Sequence, residues 1–245
     1  MKKLIYALAT MWMGTMAFGE PAKVEWVHLI DQEAQNFEDP YKSLTNGQIG
    51  DLVTLVRLRE RLNDVELPND EKSKLDVRVN ELESSLLPVL TDIDWYISQR
   101  WVVAERREKA AWAGNQEFDG KQVTLTGFAI PAPQDTDGFP TAYLVPERGM
   151  CSHMPPPPPN QMVHVRLPKK WKPSTIYEPM QLSGTLSIAP SEQQIIVVDG
   201  PVPMRATFAM EVDHIQPYSP SQPTGKLSWV EELRAKLGAN PVATE

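Results

Sequence analysis

Cys151 and His153 are the side chains of this sequence best placed to do chemistry together. Cys151 is its only cysteine and His153 is one of four histidines. Two residues apart in an extended backbone, their side chains lie on the same side. A thiolate and a neutral imidazole are good ligands for zinc or copper. Two ligands leave a tetrahedral site half built. Its completion would fall to His164 or His214 on neighbouring strands, to Glu147, or to Asp135 and Asp137 in the preceding loop. Met150 and Met154 flank the pair, and thioethers favour Cu(I) if they take part. Five prolines at 155–159 follow, then Asn160 and Gln161.

Three other readings of the same run stay open. Cys151 is a small buried hydrophobe and His153 a hydrogen-bonded neighbour in one of them. There the prolines cover the mouth of a barrel as a polyproline II segment, with their carbonyls bound by Asn160 and Gln161. In the second, Cys151 is a nucleophile with a histidine base. That requires a lowered thiol pKa and an oriented base, and no resolving cysteine or glycine-rich elbow is visible. In the third, the preformed polyproline helix is a docking face for another protein.

The rest of the sequence narrows the function classes. Lys2 and Lys3 precede an uncharged apolar run at 4–18, and Ala17-Phe18-Gly19 offers small residues for cleavage near Gly19. This reads as an export signal, too short to span a bilayer comfortably, and the expected location is a bacterial periplasm. Removing residues 1–19 takes the formal charge from −8 to −10. That balance opposes a nucleic-acid partner or an anionic membrane surface, and no later segment reads as membrane-inserted. The remaining 226 residues can bury a core without disulfides. Phosphate-cradling glycine motifs and paired metal-protease histidines are missing, so no enzymatic reaction is assigned.

The elements that would position the pair divide at residue 115. Residues 20–115 form a lead-in and a helical segment. Val24-Glu25-Trp26-Val27-His28-Leu29-Ile30 reads as a strand or helix turn that docks a tryptophan. Helical periodicity starts after Asn46-Gly47, with a stripe of Ile49, Leu52, Val53, Val56 and Leu62. Pro68-Asn69-Asp70 offers a cap for a second helix carrying Leu75, Val79, Leu82 and Leu86. Pro88 opens a third, with a stripe of Ile93, Ile97 and Trp101. Residues 116–218 alternate β-branched positions with proline and glycine turns. Strands are expected at 122–131, 142–145, 162–167, 180–188 and 208–215, with Gly127 and Gly184 marking bulges or curls. Five short strands, two bent at glycine, suit a small OB-like antiparallel β-barrel. The expected fold class is α+β, the barrel preceded by the helical N-terminal segment. Residues 219–245 read as a linker and a short helix with Trp229, Val230, Leu233 and Leu237.

Gly120-Lys121-Gln122-Val123, Thr126-Gly127-Phe128, Tyr143-Leu144-Val145-Pro146, the Cys151-to-Gln161 run and Ser183-Gly184-Thr185-Leu186 closely resemble one bacterial exported family of unknown function. Its signature is C-x-H-x-P-P-P-P-x-N-Q. The resemblance covers about residues 116–218, with Trp26 and Leu29 similar to its lead-in, and does not take in the helices at 47–113. It makes Cys151, His153, Asn160 and Gln161 the polar positions of the signature. Members of the family that this chain resembles are often encoded beside transporter components, some in zinc-responsive neighbourhoods. The resemblance therefore implies a periplasmic accessory that binds or delivers zinc, or copper, for an inner-membrane transporter. The competing expectation is a metal-free interaction or structural module using the barrel mouth and the prolines.

Overall fold

The computed structural model describes residues 21–63, 67–151, 154–172, 175–197 and 200–219. The expected signal at 1–19, His153 and the helix expected around Trp229 lie outside the described residues. Those described form a mixed α+β protein of three α-helices and a six-stranded sheet.

Helix α1 (Asn46–Leu62) begins at a reciprocal cap. The Gln48 amide donates to Thr45 Oγ1 at 3.2 Å, and the Thr45 amide donates to Gln48 Oε1 at 2.8 Å. Helix α2 (Asn69–Leu86) starts from Pro68, which has no side-chain cap to offer. Its first turn carries Asp70 and Glu71, which suit the positive end of the helix dipole. Helix α3 (Ile93–Trp112) does not open at Pro88. Its cap is Asp92, whose Oδ1 accepts the Trp95 amide at 2.9 Å. The seam between helices is narrower than the expected stripes. Leu52, Leu55, Val79, Leu82, Leu86, Leu90 and Ile93 fill it, whereas Val53 is 44% exposed and Trp101 71%. α3 turns Val103 and Ala110 inward along its second half, a face that leaves Trp101 outside.

Strands β1 (Ala22–Lys23), β2 (Lys121–Ala132), β3 (Thr141–Val145), β4 (Val163–Arg166), β5 (Glu178–Val197) and β6 (Gly200–Pro217) make the sheet. β2 pairs with β3, β3 with β4, β4 with β6, β6 with β5, and β5 with β2 again. Five strands therefore form a hydrogen-bonded circuit, with β1 added parallel beside β2. The expectation of purely antiparallel pairing fails, because β4 and β6 are parallel. An odd circuit cannot alternate direction all the way round, so one pair must run parallel.

The two singled-out glycines serve different ends. At Gly184 the β5–β6 register shifts, and a Cβ there would sit 2.0 Å from the Glu211 carbonyl oxygen. At Gly127 the register is unbroken; a Cβ would sit 2.6 Å from the Val145 oxygen and 3.1 Å from the Trp26 ring. Glycine there admits Trp26, whose Nε1 donates to the Thr126 carbonyl at 2.7 Å. The lead-in thus includes a 3₁₀ turn at Trp26–Leu29 whose Trp26 and Leu29 are buried with Val123, Leu125, Leu144, Val165, Leu182 and Phe208 in the main core.

A second core lies on the other face of β2 and β3. Ile130, Tyr143, Val145, Met150, Cys151, Met162, Tyr177, Ile195, Met204 and Ala206 pack there. It is covered by the loop after β3 and by the part of the β5–β6 hairpin that runs past the circuit. That extension was not expected from sequence.

Candidate functional site

The loop from Gly149 to Met162 carries every described residue of the cysteine signature. Gly149 has φ +91° and Cys151 φ +71°, a left-handed turn that a cysteine adopts only when held. The Cys151 amide donates to the Met154 carbonyl and the Met154 amide to the Gly149 carbonyl, both at 3.0 Å. The Tyr177 hydroxyl donates to the buried Met150 carbonyl at 2.6 Å. These bonds fix Cys151 inward at 3% exposure, between the methionines of the second core.

That burial decides the thiol's chemistry. It pushes the Cys151 pKa up to about 12, so the thiolate needed for nucleophilic attack is scarce at neutral pH. The expectation of a left-open nucleophile loses its physical basis here.

The proline run bends over the sheet with Pro157 and Pro159 buried and Pro155 and Pro156 exposed. It ends in a 3₁₀ turn, Pro159–Gln161, that points two carboxamides into the protein. Asn160 Nδ2 donates to the Ala110 and Ala113 carbonyls, each at 3.0 Å. These belong to the last turn of α3, where carbonyls have no helical partner. Gln161 Nε2 donates to the Trp26 carbonyl at 2.8 Å and to the Asn160 carbonyl at 2.9 Å. One sequence reading expected Asn160 and Gln161 to bind the carbonyls of the prolines; their bonds go instead to α3, the lead-in and Asn160's own carbonyl. The loop is a joint between helices and sheet.

The remaining histidine and aspartate candidates lie on β4, on β6 and in the loop before β3. His164 on β4 stacks on Tyr143 with ring centroids 4.9 Å apart. Burial lowers its pKa, and the Asp135 carboxylate works against that shift. His164 Nε2 and the Tyr143 hydroxyl are buried without a hydrogen-bond partner. Burial pushes the Tyr143 phenol up to about 12, with the Ser191 hydroxyl opposing. Ser191 Oγ is itself unpartnered, so the two hydroxyls are neighbours outside hydrogen-bonding geometry.

Asp135 and Asp137 are engaged elsewhere. Arg166 pairs with Asp135 at 2.5 Å, Asp137 at 3.0 Å and Glu211 at 3.5 Å. Burial works to raise the Asp135 carboxyl, but the Phe139 amide and Arg166 outweigh it and hold it below its ordinary value. His214 is exposed on β6, opposite Ser183. It stands five residues beyond Ala209, the register partner of His164, or about 16 Å at ~3.3 Å per residue. His164 and His214 are therefore not brought together. Among the described residues, no three His, Cys, Asp or Glu side chains gather as a metal cluster.

Sequence reasoning missed Tyr143, Tyr177, Met162 and Met204 as the surroundings of Cys151. One signal was available: Thr141–Val145 is apolar on both faces, and all five residues are buried.

Fold and loop together define a mixed α+β domain whose helices are tied to a circuit of paired strands by a proline-rich joint. The chain belongs to the DUF3299 family, described as protein of unknown function, which matches residues 66–217. The match takes in α2 and α3, helices that the sequence resemblance left out. A crystal structure of a DUF3299 family protein from Pseudomonas aeruginosa PAO1 is 27% identical, over 44% of this chain and 68% of that one, with a TM-score of 0.34. No curated protein matches. No helix among the described residues is long and apolar enough to cross a membrane.

Proposed function

We propose that the protein is an exported, non-enzymatic binding module: a small OB-like barrel carrying a helical lobe, acting beside a periplasmic partner such as an inner-membrane transporter component. The five-strand circuit, its single parallel pair and the register shift at Gly184 support the barrel reading. One observation carries the functional reading. The described polar side chains of the Cys151–Gln161 loop spend their donors on main-chain carbonyls, and the thiol is buried among apolar side chains. A loop used in this way holds a surface in place and leaves recognition to that surface.

A second reading is delivery of zinc or copper by Cys151 and His153. Its support is the set of thioethers around the thiol, Met150, Met154, Met162 and Met204. Titrating the purified mature chain with zinc and with Cu(I) under reducing conditions separates the two. The binding-module reading predicts no stoichiometric sub-micromolar uptake. Stoichiometric uptake abolished by both Cys151→Ser and His153→Ala would overturn it in favour of metal delivery.

A further inference from the structure

An open, shallow cleft of about 340 Å³ lies on the surface between the segment at 38–40 and one side of α3. Glu38, Asp39, Pro40, Trp95, Gln99 and Arg106 line it. Trp95, Gln99 and Arg106 are spaced by four and seven residues, so they lie within about 40° of one another around the helix and form one stripe. The opposite wall is held rigidly. Arg106 Nη1 donates to the Glu38 carbonyl at 3.0 Å, and Arg107 pairs with Asp39 at 2.7 Å. The Asp39 side chain is only 2% exposed and also accepts the Tyr41 amide at 3.0 Å. A fixed wall and a helical wall make a preorganised site that needs little ordering on binding.

The lining selects the chemistry of its ligand. Trp95 is 46% exposed and meets the edge of Tyr96 at 5.0 Å, which steadies its ring. It offers a flat apolar platform at one end. Gln99 can both donate and accept, Glu38 accepts, and the guanidinium of Arg106 donates. Two carboxylates and two guanidinium groups stand at or directly behind the walls, so any ionic ligand meets its own sign as well as the opposite one. A neutral molecule with one apolar face and several hydroxyls meets no such opposition. We propose that this cleft binds a neutral saccharide, one pyranose ring stacked on Trp95 with its hydroxyls directed to Gln99 and Glu38, and a following ring reaching Arg106, which lies about 16 Å further along α3 at 1.5 Å per residue.

The inference rests on the binding-module reading and names the ligand class. Its test is ligand-observed NMR and calorimetry on the intact mature chain. The probes are maltotriose, cellobiose and N,N′-diacetylchitobiose, with glucuronic acid, glucosamine and a proline-rich decapeptide beside them. The expected result is binding of at least one neutral sugar above both charged monosaccharides. Trp95→Ala should weaken it about tenfold, the loss of one stacking platform, and Trp101→Ala, elsewhere on α3, should leave it unchanged. An unaltered circular dichroism spectrum checks that both variants fold. Absence of binding by every neutral sugar, or binding indifferent to Trp95→Ala, overturns the proposal. So does a peptide that competes at Trp95 where sugars do not bind. None of these results touches the binding-module reading itself, which falls only to the metal titration described above.

Discussion

The Cys151–Gln161 loop and the cleft beside Trp95 are both rich in polar groups, and they use them in opposite directions. In the loop, carboxamides turn inward to carbonyls of α3 and the lead-in, and the thiol is sealed at 3% exposure. In the cleft, Trp95 is half exposed, and the Asp39 carboxylate and the Arg106 and Arg107 guanidiniums are anchored beside it. The single cysteine of the chain and its neighbouring carboxamides therefore maintain the architecture, while a tryptophan and charged residues outside the motif form the surface suited to recognition. An unusual motif marks a position where few side chains fit. That demand can come from a joint as readily as from a reaction.

The contrast makes the joint costly to break and the cleft cheap. Asn160→Ala combined with Gln161→Ala removes four side-chain bonds to main-chain carbonyls and should cost about 2–5 kcal/mol, at roughly 0.5–1.5 kcal/mol per hydrogen bond; Ala110 and Ala113 keep the Gln35 side chain and the Asp31 amide as donors. Urea unfolding of the double variant checks this. A loss below about 1 kcal/mol would remove the joint from the comparison. Next in size is the thiol. Cys151→Ser places a hydroxyl in an apolar cluster and should cost about 2 kcal/mol, against about 1 kcal/mol for Cys151→Ala. Equal costs would mean that Cys151 does not behave as a buried hydrophobe.

Alkaline pH sharpens the same point. The folded thiol titrates near 12, above its ordinary 9.0, so between those values the unfolded chain loses its proton before the folded one. The unfolded state binds fewer protons there, and stability must fall as pH rises. Cys151→Ala should flatten part of that decline in melts from pH 8.5 upward; an unchanged slope would contradict the burial argument. Smallest of all, Gln99→Ala in the cleft should change stability by less than about 0.5 kcal/mol. A loss as large as that of the joint variant would erase the distinction between the two regions.

How much of this was legible depended on how local the signal is. Period-two patterns around Val123, Val163, Leu182 and Met210 located four strands because alternate burial is written into neighbouring residues, and the unbroken apolar run around Leu144 located the fifth. The extension of β5 and β6 was not, since Gln193 and Gln194 are polar and Pro201 and Pro203 lack ladder donors. Those prolines are tolerated because β4 pairs only with residues 208–211 of β6, which leaves their other edge unpaired within the sheet. Trp101 was placed on an inward stripe because periodicity reports an apolar face without saying which neighbour arrives to cover it. The joint was singled out by composition, yet its targets, Ala110, Ala113 and Trp26, lie 47 to 135 residues away from the donors. The cleft had no local signature, as Glu38 and Trp95 meet only after α3 docks.

The central claim is that the proline-rich loop ties the helices to the sheet. Hydrogen exchange on the intact chain and on the Asn160→Ala, Gln161→Ala double variant tests it most directly. The account predicts that amides in the second half of α3 lose protection in the variant while those of β2 and β5 keep theirs. Equal protection of α3 in both proteins would contradict it.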